Sequence, residues 1–173
     1  HDRFVTGIAG GQVPDLAEMS TTWTPEFGEQ GAFAPVEAPE GVEYVDALVE
    51  AGTVDGTNYG YPWYADARAL IYRTDVFVQA GVEPPTTWDE ILSVGDTIAA
   101  TVPDIAPMHV AGTDVHMLAP LVWGAGGEIA TQEGDTWLAG VDSEAGRQAF
   151  RFFETLWKKG WTPGAAVQWN SVD

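Results

Sequence analysis

The chain has 173 residues and no cysteine, and its 26 acidic side chains outnumber the seven Lys and Arg, giving a formal net charge of -19. Such a surface repels nucleic acid and anionic lipid headgroups, so no nucleic-acid partner is expected, and the charge favours a soluble monomer. The absence of cysteine excludes disulfides, thiol nucleophiles and Cys-ligated metal sites within these residues. With 45% hydrophobic residues and no apolar run near the roughly 20 residues of a membrane span, the composition is that of a globular protein.

The first part of the chain carries short structural signals. Residues 13–19 follow a Gly-Gly turn and predict a short buried strand. Trp23 and Phe27, four residues apart, predict a brief helix. Over residues 41–52, apolar residues recur at helical spacing with acidic residues beside them, which predicts an amphipathic helix. Residues 59–73 are aromatic and then alternating, which predicts two extended segments.

The second part carries stronger helix signals. Thr74 and Gly81 bound a short predicted helix, and Thr87 with Glu90 has the spacing of a capping box at the start of a longer one. A strand is predicted over residues 107–110.

Two further helices follow in the sequence. Residues 117–123 predict an apolar helix with Pro120 near its first turn or kinking it. Ser143 predicts the cap of a last helix, whose predicted buried face consists of Ala149, Phe152, Phe153 and Leu156. We assign Trp88, Trp137, Trp157 and Trp161 to packing. The alternation of strands with helices predicts an α/β fold.

Four segments in this order resemble the family 1 extracellular solute-binding proteins of the maltose-binding type. They are Gly-Gln-Val-Pro-Asp at 11–15 with Trp23 and Gly31 after it, Tyr-Gly-Tyr-Pro at 59–62 leading to Leu-Ile-Tyr-Arg at 70–73, Pro-Pro-Thr-Thr-Trp-Asp-Glu at 84–90, and Trp-Gly-Ala-Gly-Gly at 123–127 before a helix ending in Lys-Lys-Gly at 158–160. The resemblance covers nearly the whole chain. It implies a two-lobe α/β protein of the type II periplasmic-binding-protein class, present here only in part.

The resemblance also implies a domain organisation. Residues 1–61 belong to lobe 1, residues 62–65 form the interlobe crossover, and residues 66–173 belong to lobe 2. The first strands and the later half of the family are expected to be missing from this central fragment. Family members usually begin with an export signal, often ending in a lipid-modified cysteine, and work at the outer face of the membrane or in the periplasm.

Candidate ligand-binding residues occur along both parts of the chain. They are Thr22, Trp23, Trp63, Tyr64, Asp66, Arg68, Asp114, His116 and Trp123. Sugars present hydroxyl edges and apolar faces, so a sugar site combines carboxylates or hydroxyls with flat aromatic rings. In the family, an acidic residue at the position that matches Asp66 contacts sugar hydroxyls.

Each candidate has an alternative structural interpretation. Trp23 and Trp123 could simply pack in a core. Asp66 could form an ion pair with Arg68 on the same side of a strand. Asp114 could be only a helix cap and His116 only a surface histidine.

The sequence therefore predicts a non-catalytic receptor that encloses a sugar or oligosaccharide between two lobes and delivers it to the membrane permease of an ABC importer. One alternative is a receptor of the same fold for a non-sugar solute such as a polyamine, a peptide or an iron chelate. Another is a glycoside-active enzyme, which would need two carboxyl groups at a defined separation. No metal or cofactor is expected, since His109 and His116 are not at i,i+4 spacing and no phosphate-binding loop motif is present.

Overall fold

The computed structural model describes residues 1–37, 39–111, 115–162 and 164. The chain divides into two compact units, which we call unit 1 (His1–Ala67) and unit 2 (Arg68–Asp173). No helix in the described part of the chain is long and apolar enough to span a membrane.

Unit 1 is built from short elements. They are α1 (Asp2–Ala9), α2 (Trp23–Glu29), α3 (Asp46–Glu50), β1 (Thr53–Val54) and β2 (Thr57–Asn58). The two strands pair antiparallel, with Val54 opposite Thr57. Asp55 and Gly56 both have positive φ, 48° and 77°, as a two-residue type I′ hairpin turn requires.

The core of unit 1 is a cluster of aromatic rings around Phe27, which is 1% exposed. The Phe4 and Phe33 rings lie 5.0 and 5.9 Å from it, centroid to centroid, both edge-on. The predicted brief helix from Trp23 is confirmed as α2, and it places Phe27 in this cluster. Burial of such a ring stabilises the fold by about 1.5–3 kcal/mol.

Three predictions for unit 1 are wrong. Residues 13–19 form no strand and are exposed except for Met19, with Leu16 at 90%. The predicted helix over residues 41–52 is only the five residues of α3. Residues 59–73, which run into unit 2, form no strand. The strand at residues 13–19 fails because a strand also needs a hydrogen-bonding neighbour, and these residues have none among the described residues.

Unit 2 contains longer helices. Its elements are α4 (Thr74–Ala80), α5 (Trp88–Thr101), α6 (Val115–Gly124), β3 (Ala130–Glu133), β4 (Thr136–Ala139) and α7 (Glu144–Lys158). The strands β3 and β4 form an antiparallel hairpin in which Glu133 lies opposite Thr136. The loop begins with Gly134 at φ 61°, as a type II′ turn requires.

The ends of these helices follow the sequence signals. Thr87 Oγ1 accepts the N–H of Glu90, and the Glu90 side chain bonds back, so the predicted capping box is confirmed. Ser143 caps α7 by accepting the N–H of Gly146 at 3.1 Å. Gly81 ends α4, as predicted, and it does so in the left-handed conformation. The N-cap of α4 is Arg73 and not Thr74.

The core of unit 2 consists of two apolar clusters. One contains the buried residues Val110, Phe152, Leu156 and Trp161, with Trp88 stacked on Phe152 at 4.7 Å between ring centroids. The other contains Val76, Ile98 and Val102. The helix α5 contacts both clusters, because Ile91 and Leu92 pack on the first and Val94 on the second.

Several predictions for unit 2 need correction. Residues 107–110 form no strand, although Val110 is buried and its N–H donates to Thr162 Oγ1 at 2.9 Å. The predicted helix 117–123 is longer at both ends, as α6, and includes Pro120. The assignment to packing is confirmed for Trp88 and Trp161. It is wrong for Trp137 on β4 and Trp157 on α7, which are 68% and 40% exposed.

Candidate functional site

The first candidate residues lie in a hydrogen-bonded turn that begins α2 in unit 1. The carbonyl oxygen of Ser20 accepts the N–H of Trp23 at 3.0 Å and the N–H of Thr24 at 3.1 Å. The hydroxyls of Ser20 and Thr22 lie 3.0 Å apart and share a hydrogen bond. Both residues are exposed. The turn therefore presents two coupled hydroxyls, and a hydroxyl can both donate and accept.

Ser20 also belongs to this group, although it is not among the candidates predicted from the sequence. Its Oγ also accepts the N–H of Thr22 at 3.4 Å. A Ser two residues before another polar residue at a helix start is the signal that could have found it.

The Trp23 ring is half-buried and does not lie within the core of unit 1. The His1 imidazole meets it edge-on, with 5.0 Å between ring centroids and 66° between planes. The ring is thus held in place at the surface, an arrangement compatible with both a packing and a ligand-contacting role.

Trp63 and Tyr64 are strongly exposed, at 80% and 65%. Both line a cavity of about 930 Å³ within unit 1, which residues 13–21 also line. Its described lining carries two carboxylates, Asp15 and Glu18, and no Lys or Arg. Exposed rings beside carboxylates suit a neutral polyhydroxylated ligand or a cation better than an anion.

The residues just before the two exposed rings are fixed in unit 1. The hydroxyl of Tyr61 donates to the carbonyl of Val36 at 3.2 Å, and its ring stacks on Tyr44 at 5.3 Å between centroids. These contacts anchor the chain immediately before Trp63.

Asp66 and Arg68 are both exposed and belong to a segment without regular secondary structure. The Asp66 carboxylate makes no hydrogen bond or ion pair with another described residue. A carboxylate without such a partner keeps its acceptor capacity for water or for a ligand.

In unit 2, the helix α6 carries two of the candidates on one face. His116 and Trp123 are seven residues apart, two helical turns, so they lie on the same stripe about 10 Å from each other along the axis. Both are exposed, Trp123 at 55%, whereas the neighbouring Val122 is fully buried. The interpretation of Trp123 as a core residue is wrong. Asp114 lies outside the described residues.

The structure therefore groups the candidates into separate sets. Unit 1 holds Thr22 and Trp23 in one turn and Trp63 and Tyr64 at one cavity, and unit 2 holds His116 and Trp123 on one helix face. A second cavity, of about 390 Å³, lies within unit 2 between α4, α5 and residues 105–109, and none of the candidates lines it. Among the described residues, no group of three or more His, Cys, Asp or Glu could hold a metal ion.

The sequence profile of the bacterial extracellular solute-binding proteins matches residues 1–173, and the chain belongs to that family. A diacetylchitobiose-binding protein, DasA of Streptomyces coelicolor, is 27% identical over 163 residues, 90% of this chain and 38% of its own length. The chain therefore spans less than half of the length of this relative.

Solved structures show the same fold. The solute-binding protein of an ABC transporter from Thermotoga lettingae, bound with α-D-tagatose, is 33% identical with a TM-score of 0.84 over 99% of this chain and 47% of its own. The GacH receptor of Streptomyces glaucescens, at 21% identity, matches with a TM-score of 0.77 over 93% of this chain and 42% of its own. The chain thus has part of the type II periplasmic-binding-protein fold, and the predicted fold class is confirmed.

Proposed function

We propose that the chain is part of a receptor that binds a sugar or short oligosaccharide and delivers it to the permease of an ABC importer. The observation that carries this proposal is that exposed rings occur beside exposed polar groups in each unit. In unit 1, Trp63 and Tyr64 precede Asp66, and in unit 2, Trp123 shares a helix face with His116. The tagatose-bound relative and the diacetylchitobiose-binding relative support a sugar as the ligand.

The chemistry of a sugar explains why both kinds of side chain are needed. A pyranose ring has an apolar face that packs on an indole or phenol ring. Its hydroxyls donate to carboxylates such as Asp66 and exchange hydrogen bonds with hydroxyls such as Thr22. Arg68 and His116 would serve as donors to sugar oxygens, and Asp114 as a further acceptor.

The proposed receptor works by population shift and not by catalysis. A sugar that binds the closed form of a two-lobe receptor more tightly than the open form shifts the population to the closed form, which the permease would recognise. A glycoside hydrolase instead needs a carboxylic acid whose pKa is raised. Where the pKa of a described carboxyl departs clearly from its ordinary value, it is lowered by hydrogen bonds: in Asp75 by Arg73, in Glu90 by Thr86 and in Glu144 by Arg151.

We also propose the place of action that the family implies. The receptor would act as a monomer at the extracellular face of the membrane or in the periplasm, held by a lipid-modified cysteine upstream of this sequence. If the receptor carries this lipid anchor, globomycin should block the processing of its precursor, and a palmitate analogue fed to the cells should label the receptor. Release of unlabelled receptor into the medium would contradict it.

A ligand screen tests the proposed function directly. The full-length protein is heated with D-tagatose, diacetylchitobiose, lactose or maltotriose, and in parallel with spermidine, a tripeptide or ferric citrate. A sugar present at 100 times its dissociation constant stabilises the protein by about 2.7 kcal/mol. Stabilisation by spermidine, the tripeptide or ferric citrate and by none of the sugars would overturn the proposal. Steady hydrolysis of an oligosaccharide by the pure protein would also overturn it.

Two substitutions test the site. Asp66→Asn keeps the shape but loses the charge, and we expect binding to weaken by about 1.5–3 kcal/mol, the range of hydrogen bonds to charged groups. Trp23→Ala removes an apolar face, so the loss should depend little on salt. Titration calorimetry measures both, with Asp89→Asn and Trp137→Ala as matched exposed controls. Wild-type affinity in both site variants would remove this site assignment and leave the family assignment unchanged.

A further inference from the structure

Trp23 has a neighbour whose position suggests a role in ligand binding. The His1 imidazole lies close to two aromatic rings and to two carboxylates. Its ring centroid is 5.0 Å from that of Trp23 and 5.5 Å from that of Phe27. Its Nε2 is 3.5 Å from Glu26 Oε1, and its Nδ1 is 3.7 Å from Asp2 Oδ1.

These contacts fix the imidazole from several directions. Phe27 is 1% exposed, and Glu26 and Phe27 both belong to α2, the helix that Trp23 begins. The His1 side chain is 37% exposed, so it lies at the surface next to the half-buried indole. The imidazole consequently packs against the indole of Trp23 and limits its rotation without burying it in the core.

A ring that stacks on a sugar binds best when it is already held in its bound orientation. Immobilising a freely rotating side chain on binding costs affinity, and a contact that immobilises it beforehand removes that cost. We propose that His1 is a positioning residue, which holds the indole of Trp23 in the orientation that stacks on the ligand. This inference rests on the proposed sugar-binding function of the turn that contains Trp23.

The test is a double-mutant cycle in the full-length protein, with the sugar that binds most tightly in the ligand screen as the probe. His1→Ala should weaken binding roughly three- to tenfold, the equivalent of one ordered side chain. In a Trp23→Ala background, His1→Ala should change the dissociation constant less than about twofold, because the residue acts only through the indole.

Conservative variants separate positioning from general stability. His1→Phe keeps a flat ring against Trp23 and should restore binding to within about twofold of wild type. His1→Gln keeps a polar group near Glu26 but no ring, and should behave as His1→Ala. Phe152→Leu is the control for general stability, since Phe152 is buried in the apolar cluster of unit 2 with Val110, Leu156 and Trp161, and that cluster contains none of the candidate residues. It should lower the melting temperature and leave affinity unchanged.

The outcomes distinguish the two proposals. If Trp23→Ala weakens binding but His1→Ala does not, or if His1→Ala has the same effect in both backgrounds, the positioning role of His1 is wrong and the sugar site stands. If Trp23→Ala leaves the affinity for the sugar unchanged, the ligand role of Trp23 is wrong and the role of His1 is wrong with it.

Discussion

The two units of the chain reach their structures by different means. In unit 1 the helices α1, α2 and α3 have eight, seven and five residues, and none has a side-chain hydrogen bond at its N-cap. In unit 2, α5 and α7 have 14 and 15 residues, and each begins with a side-chain cap. Isolated helices shorter than about 12–15 residues are marginal in water, so the short helices of unit 1 depend on packing.

The difference also concerns what the side chains pack against. The helices α5 and α7 contribute to buried clusters made within unit 2. In unit 1 the aromatic cluster around Phe27 is buried, while the apolar run at residues 13–19 is exposed, with Leu16 at 90%. The long capped helices of unit 2 therefore form as their local sequence signals predict, whereas the apolar residues of 13–19 in unit 1 have no backbone hydrogen-bonding neighbour among the described residues and stay mostly exposed.

The largest expected effect is loss of a core ring in either unit. Phe27→Ala and Phe152→Ala each remove a side chain that is at most 7% exposed, and each should lower the free energy of unfolding by about 3–5 kcal/mol. Urea unfolding of the full-length protein measures both losses. Phe150→Ala is the control in the same helix as Phe152, because Phe150 is 47% exposed. A loss at Phe150 equal to that at Phe152 would contradict the assigned orientation of α7.

A smaller effect is expected where a glycine of α5 in unit 2 leaves room for the ring of Trp161. A Cβ added to Gly95 of α5 would lie 2.2 Å from Trp161 Cη2, so the indole must move. We expect Gly95→Ala to lower the free energy of unfolding by about 1–3 kcal/mol, the cost of overpacking.

The matched control for this prediction is Gly124→Ala in α6. Its added Cβ would meet only Trp88 Cζ2, at the ordinary contact distance of 4.0 Å. Because alanine favours helix more than glycine does, this variant should be neutral or slightly stabilising. Equal destabilisation by both variants would show that Trp161 does not pack on Gly95.

The third effect is the loss of a helix cap, and it tests the comparison between the units most directly. Thr87→Ala removes the hydroxyl that accepts the Glu90 N–H at 3.2 Å and should cost about 1 kcal/mol. Thr22→Ala in unit 1 should cost less, because Thr22 at the N-cap of α2 makes no side-chain capping bond. Equal losses in thermal unfolding would contradict this difference between the helices.

These elements also show what the sequence could predict. The caps of α5 and α7 and the left-handed Gly81 were predictable, because each depends on residues only a few positions apart. The two hairpins could have been predicted from Asp55-Gly56 and Gly134-Asp135, which are dipeptides typical of two-residue turns. The strand predicted at residues 13–19 failed, because strand formation depends on a neighbour that no local pattern specifies.

The candidate site likewise has features that the sequence could predict and features that it could not. The position of Trp123 was predictable from its spacing to His116, since two residues seven apart share a helix face. The contact between His1 and Trp23 was not predictable, because it joins residues 22 positions apart through the packing of α1 and α2. The ligand roles of the candidates, and the boundary proposed at residues 62–65, remain predictions.

The smallest expected effect is a pH dependence at the start of α5. Glu90 Oε2 accepts the N–H of Thr86 at 2.6 Å, the Thr86 hydroxyl at 2.8 Å and the N–H of Thr87 at 3.2 Å. These bonds, that from the Thr86 N–H foremost, lower the pKa of Glu90 below its ordinary value of 4.5. A carboxyl with a lowered pKa in the folded state stabilises the fold above its unfolded-state pKa, and this contribution is lost as the pH falls through the folded-state value.

Glu90→Gln should therefore be less stable than wild type at neutral pH, and the difference should shrink as the pH falls below about 4.5. Asp75 and Glu144 also have lowered pKa values, but they titrate in both proteins, so the difference between the two unfolding curves isolates Glu90. Thr86→Val removes one donor and should reduce the same difference in part. A constant offset between wild type and Glu90→Gln across pH 3–7 would mean that Glu90 supports α5 through its shape and not through its charge.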